Sequence, residues 1–221
     1  MKVLIFGATG MVGQGVLREC LRAPEVELAA TIGRTATGAH DPKLREILHT
    51  DMSHFTDTEE ELAGFDACFF CLGVTSNGMR EVDYERVTYA FTLAAAETLS
   101  RLNPGMTFIY VSGAGTDSSG RGRIMWARIK GRTENALLKL PFKAYMFRPG
   151  IIQPLDGIKS KTYSYRVLYG LTRPLLPLLH WALPRHVLTT REIGLAMLRV
   201  ARQGYEKRIL ETQDLRAVAR Q

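Results

Sequence analysis

The chain has 221 residues, 46% of them apolar and 23% charged, with only 3 cysteines, which fits one globular domain and excludes a disulfide framework. Its net charge of +7 is lopsided: residues 1–117 carry 9 basic and 16 acidic side chains, residues 118–221 carry 20 and 6. Three thiols point to a reducing compartment, the run from Val3 to Phe6 is too short for a signal peptide, and no stretch reaches the ~18 apolar residues of a membrane span, so a cytoplasmic location is expected.

Val3-Leu4-Ile5-Phe6 is apolar on both alternations, the pattern of a strand buried on both faces of a parallel sheet. Gly7-Ala8-Thr9-Gly10-Met11-Val12-Gly13 follows directly, and helical spacing then runs over residues 11–21. This order suits a pyrophosphate. Glycines permit the tight turn and close backbone approach, and the helix start offers unpaired N–H groups and a positive dipole end. A dinucleotide is therefore expected at Gly7, Thr9, Gly10, Met11, Val12 and Gly13.

Further short apolar runs at 28–32, 67–72, 107–111 and 144–147 alternate with helical segments at 84–102 and 124–140. Residues 43–49 read as a third strand leading to Asp51, although Leu44, Ile47 and Leu48 also suit a helix. The alternation predicts an α/β fold, a doubly wound parallel sheet, as a single domain over residues 1–221. Four prolines in a Leu- and Tyr-rich stretch predict an irregular apolar insertion over 154–188, serving as a lid or an interface. A capping box, Thr189-x-x-Glu192, opens a helix to about Arg202, and a strand near 208–210 and a last helix close the fold.

The end of the second strand selects the dinucleotide. An acidic residue there accepts from a ribose 2′-hydroxyl, but the chain reads Thr31-Ile32-Gly33-Arg34-Thr35. A guanidinium with bidentate reach, and no carboxylate, favours NADP(H) over NAD(H), the alternative being that Arg34 is a solvated loop charge. Asp51, followed by Met52, is expected at the adenine amino group, and Gly73 lets the backbone approach the cofactor.

With the glycine turn, three later motifs resemble the atypical short-chain dehydrogenase/reductases, NAD(P)-binding Rossmann proteins of the Tat-interacting-protein-like, NmrA-like and epimerase-like branches. Phe69-Phe70-Cys71-Leu72-Gly73-Val74-Thr75 resembles the strand-four segment, which implies cofactor contacts at Leu72, Gly73 and Val74. Val111-Ser112-Gly113-Ala114 resembles the strand-five serine motif. Phe147-Arg148-Pro149-Gly150-Ile151 resembles the arginine-proline-glycine turn, which implies contacts at Pro149, Gly150 and Ile151. Where the family carries Tyr-x-x-x-Lys and then Gly-x-x-Glu, this chain reads Trp126-Ala127-Arg128-Ile129-Lys130-Gly131-Arg132-Thr133-Glu134.

The resemblance implies that Lys130 binds the nicotinamide ribose and that Ser112 bonds a substrate carbonyl, with Trp126 in place of the acid. Spacing of four puts Trp126 and Lys130 on one helix face. An indole donates a hydrogen bond but delivers no proton, and a missing general acid costs ~10²–10⁴ in rate. Tyr84, Tyr163 and Tyr165 are the candidate replacements. Trp126 itself either stacks on a ligand or fills the vacated pocket.

Two functions are expected. One is an NADP(H)-dependent reductase or epimerase-like enzyme on a small carbonyl compound, with Ser112, Lys130 and Trp126 at its centre. The other is a nucleotide-sensing regulator acting through protein partners. The charge reversal just before Trp126 steers an anionic or amphipathic small molecule toward the cleft. No nucleic-acid partner is expected, because the basic surplus lacks a recognised binding motif. The apolar stretch 163–183 allows membrane-surface contact, and the helices at 84–102 and 124–140 are where a homodimer would form. Cys68 and Cys71, three apart on a strand, face opposite sides, so no metal is expected.

Overall fold

The structure is a computed structural model describing residues 1–155, 157 and 187–221. Strands β1 (Lys2–Phe6), β2 (Leu28–Gly33), β3 (Leu44–Leu48), β4 (Ala67–Phe70), β5 (Thr107–Val111), β6 (Lys143–Arg148) and β9 (Ile209–Glu211) form one sheet in the order β3-β2-β1-β4-β5-β6-β9. Every pairing in it is parallel. The doubly wound sheet expected from the alternation is therefore the fold. The ambiguous segment 43–49 is the strand β3: it pairs with β2 through five residues, and its alternation buries Ile47 while Leu48 faces out.

Helices cover both faces. α1 (Met11–Arg22) and α6 (Thr190–Gln203) pack against one, burying Val16, Leu17, Ile193 and Met197 with Val3, Ile5 and Phe69. On the other lie α2 (Glu59–Leu62), α4 (Phe91–Leu102) and the end of α5 (Met125–Leu137), over Leu4, Phe6, Phe70 and Phe108. Parallel register places Phe6 beside Phe70, their rings stacked at 4.9 Å, with Phe108 at 5.8 Å from Phe70. Such aromatic pairs add ~0.5–1.5 kcal/mol each beyond the area they bury. α7 (Thr212–Arg220) closes the chain.

The helix expected over 84–102 begins earlier and is interrupted: α3 (Glu81–Glu85) leads through a π turn, Arg86–Ala90, into α4. The Thr88 carbonyl accepts from the hydroxyls of Thr92 (2.7 Å) and Thr133 (3.4 Å), and threonine hydroxyls on a helix carbonyl compete with its regular ladder. The capping box at α6 is present in full, with the Thr189 hydroxyl accepting from the Glu192 amide and the Glu192 carboxylate accepting from the Thr189 amide. Sequence did not predict a second, two-stranded sheet, in which β7 (Ile151–Gln153) pairs with β8 (Val187–Thr189). Between these strands most of the insertion expected over 154–188, with Tyr163 and Tyr165, lies outside the described residues.

Candidate functional site

The expected cofactor turns and Ser112 follow the carboxyl ends of parallel strands and so share one edge of the sheet, while Trp126 and Lys130 stand on α5. The strand order reverses between β1 and β4, and the crevice there is where open α/β sheets receive ligands. Gly7 takes φ +74° in that crevice, and a Cβ on it would sit 2.6 Å from the Leu72 amide nitrogen. A Cβ on Gly13 would stand 2.2 Å from the Gly7 carbonyl oxygen, so the first turn of α1 rests directly on the turn before it. Gly10 caps α1 with no side-chain bond to its amides, and the Gln14 amide group braces the turn by donating to the Thr9 carbonyl at 3.0 Å. The amides of Met11, Val12 and Gly13 have no partners inside a helix that starts there, and they open on the crevice with its positive dipole end. Gly73 and Val74, just past β4 and Leu72, are exposed beside it.

On the β2 side, Arg34 and Thr35 emerge exposed after Gly33. Two residues further, Thr37 is fastened: its amide and hydroxyl both donate to Glu46 Oε1, each at 2.6 Å. These bonds, the hydroxyl's foremost, hold the Glu46 carboxyl below its ordinary pKa. A cavity of about 420 Å³ lies between this connection and α1, lined by Ala8, Gln14, Arg18, Arg22, Thr37 and Asp41 among others. Asp51 reaches the same edge exposed, with Met52 buried beside it. The Ser53 hydroxyl and amide both donate to Asp51 Oδ1, which pulls its pKa down to about 2, and Oδ2 lies 3.3 Å from the His54 ring.

The α5 side is built differently. Lys130 donates to the Ser112 carbonyl, and burial pulls its pKa down to about 8 against the opposing pull of Glu134. Ser112 is buried, and its one hydroxyl proton faces Glu134 Oε1 at 2.5 Å and the Phe147 carbonyl at 3.1 Å. Glu134, fully buried, receives the fork of Arg148, with Nε at 3.0 Å from Oε1 and Nη2 on Oε2. Arg148 also donates to Ser118 Oγ at 2.6 Å and to Glu211 Oε1 at 3.2 Å. The hydroxyl expected at a substrate carbonyl thus points into a buried ionic cluster. Gly131 lets α5 come this close, since a Cβ there would lie 1.7 Å from the Asp117 carbonyl oxygen.

Trp126 stands in the first turn of α5, partly exposed and outside both core clusters. Its ring edge covers Gly115, with Cη2 at 3.6 Å from where a Cβ would stand. The turn after β6 is pinned from two sides: the Ala114 amide donates to the Pro149 carbonyl, and the Gly150 amide to Thr212 Oγ1, both at 2.9 Å. Ile151 is exposed at the start of β7. Tyr84, one candidate for a replacement acid, is buried near Tyr110. Cys68 and Cys71 pack into opposite core clusters, as strand alternation requires, and burial pushes both thiols up, Cys71 to about 12.

A reversal of strand order with a glycine turn and helix start at that point defines a dinucleotide-binding protein of the Rossmann type. The sequence pattern of the NAD dependent epimerase/dehydratase family matches residues 3–121, and the chain belongs to that family. "Protein FMP52-2, mitochondrial" of Scheffersomyces stipitis is 27% identical over 172 residues, 76% of this chain and 73% of that protein. "Protein fmp52-2, mitochondrial" of Aspergillus terreus is 25% identical over 169 residues, 75% of this chain and 72% of that one. Among solved structures, the UDP-N-acetylglucosamine 4-epimerase of Methanobrevibacter ruminantium superposes with a TM-score of 0.72 at 13% identity, over 95% of this chain and 75% of its own.

The mitochondrial names of these relatives overturn the cytoplasmic expectation. Free thiols report a reducing environment but not which reducing compartment. Among the described residues no helix is long and apolar enough to cross a membrane.

Proposed function

We propose that this protein binds NADP(H) at the β1–α1 turn and, with its acid–base machinery dismantled, uses the bound nucleotide to hold an amphipathic molecule or partner rather than to reduce carbonyls quickly. One observation carries the reading: the Ser112 hydroxyl turns inward onto Glu134 and the Phe147 carbonyl, and the sequence resemblance, which aligns Trp126 with the family's acid, supports it. The indole delivers no proton, and the Ser112 hydroxyl proton is spent inside the protein rather than on a carbonyl in the cleft. Arg34, exposed after β2 with no carboxylate at that strand end, supports the 2′-phosphate form of the cofactor.

The rim supports an amphipathic ligand. Of the six exposed large apolar side chains among the described residues, Leu48, Val74, Val82, Ile124 and Ile151 follow strand carboxyl ends or open the helices that start there. The basic residues of α5 do not form an open cationic face: Arg128 pairs with Glu81 at 2.7 Å and Arg132 with Glu85 at 2.8 Å.

A second reading, a slow reductase, draws on Lys130, whose ammonium lies beside Ser112 with its pKa lowered by burial to about 8. Thermal-shift titration with NADP⁺, NADPH, NAD⁺ and NADH tests the binding, because a ligand of the folded state raises stability by RT ln(1 + [L]/Kd). No shift from any of them ends both readings. Native turnover on a carbonyl panel that Trp126→Tyr leaves unchanged would end the first.

A further inference from the structure

Residues 34–43 join β2 to β3 without regular structure, yet they are tied down at defined points. The Lys43 ammonium donates to the carbonyls of Leu21 (3.3 Å) and Ala23 (2.8 Å) at the end of α1, and the Lys43 amide donates to Asp41 Oδ1 at 2.9 Å. At the other end stands the double bond of Thr37 to Glu46. Alternation along β3 explains the reach of Glu46: Ile47 enters the core on one face, while Leu44 and Glu46 look to the face that carries α1. Leu44 packs there beside the α1 residues, and Glu46 extends past it to the connection.

The clip lies three residues beyond Arg34, and its Thr37 lines the 420 Å³ cavity together with Gln14 and Arg18 of α1 and Ala8 of the glycine turn. A carboxylate that close to a phosphate site would repel a ligand phosphate if it were free. Here the donors of Thr37 occupy Oε1 and keep the charge turned to the connection.

We propose that Glu46 is a positioning residue for nucleotide selection: by holding Thr37 it fixes the connection so that Arg34 meets the 2′-phosphate of adenosine beside the glycine turn. The proposal rests on the NADP(H) reading above and adds to it the part that sets Arg34 in place. Binding without Glu46 loses the phosphate contact and keeps the rest of the nucleotide, because the glycine turn is supported separately by Gln14 and by β4.

Titration of the full chain with NADP⁺, NAD⁺ and 2′,5′-ADP, followed by tryptophan fluorescence and calorimetry, tests this. Glu46→Ala is expected to weaken NADP⁺ and 2′,5′-ADP by roughly tenfold, the scale of one lost charge-assisted contact, with NAD⁺ changed by less than about twofold. Glu46→Gln keeps an acceptor for Thr37 and should stay within about threefold of wild type for all three. Thr37→Val removes only the hydroxyl bond, so it provides the same comparison at smaller amplitude should Glu46→Ala not fold. Equal losses for NADP⁺ and NAD⁺, or no loss for either, would overturn the positioning role while leaving a wild-type preference for NADP⁺ intact. A wild type that binds both nucleotides alike would remove the Arg34 reading and this proposal together.

Discussion

The two ends of the cleft are built on opposite plans. At the glycine turn, side chains are missing: Gly7 and Gly13 lie against neighbouring backbone at distances no Cβ tolerates, and the first-turn amides of α1 have no partner within their own helix. Beside α5, polar side chains are already engaged: the buried Ser112, Glu134 and Arg148 satisfy one another, and Arg148 reaches on to the exposed Glu211. Donors left open can receive a ligand. Donors used internally hold the architecture, even when they stand in motifs associated with chemistry.

This contrast is sharpest for Arg148. Arg148→Met leaves the Glu134 carboxylate buried without its fork, so urea denaturation should show a loss of ~3–5 kcal/mol. Adding Glu134→Leu to it should restore a good part of that stability. If Arg148→Met is neutral, the cluster is not the architectural element described. Trp126→Tyr, next in size, should raise turnover on small carbonyl compounds by ~10², the low end of what a general acid supplies. No gain would mean that the inward-facing Ser112, rather than the indole, limits the chemistry.

Gly13→Ala tests the open end. Relieving a 2.2 Å approach to the Gly7 carbonyl requires backbone movement, at a cost of ~1–3 kcal/mol, and should abolish the nucleotide-induced thermal shift. Ser112→Ala should cost ~1 kcal/mol of stability and leave nucleotide affinity unchanged, as fits a hydroxyl bonded to its own protein. A collapse of turnover at unchanged stability would instead return Ser112 to the chemistry.

A pH dependence is expected as well. Burial lowers the Lys130 pKa from the ordinary 10.5 to about 8, so between those values the unfolded chain holds a proton that the folded chain has released. Stability should therefore rise with pH across that window, and the rise should be shallower in Lys130→Met.

Much of the fold was legible because its signals are local. The doubly apolar run at Val3 to Phe6, the glycine turn and the Thr189 capping box each specify structure within a few residues. Glu134 and Arg148 were legible as motif letters but not as a pair, because 14 residues and a strand separate them and their bond exists only once α5 docks on β6. The Thr37–Glu46 clip was invisible for the same reason. Sequence shows a glutamate on a strand, not the threonine it will meet. The π turn at Arg86–Ala90 escaped because helical periodicity does not register one extra residue in a turn.

Gly115 gives residue 126 an unusual freedom. Its backbone, at φ +83°, disfavours any side chain, and so leaves the edge of the indole room beside it. Another planar ring at position 126 would find the same room beside Gly115. An exchange of one aromatic ring for another at such a site needs no repacking beside it. On the proposed function, the same geometry lets the single change Trp126→Tyr bring a phenol to that place without disturbing the glycine beside it.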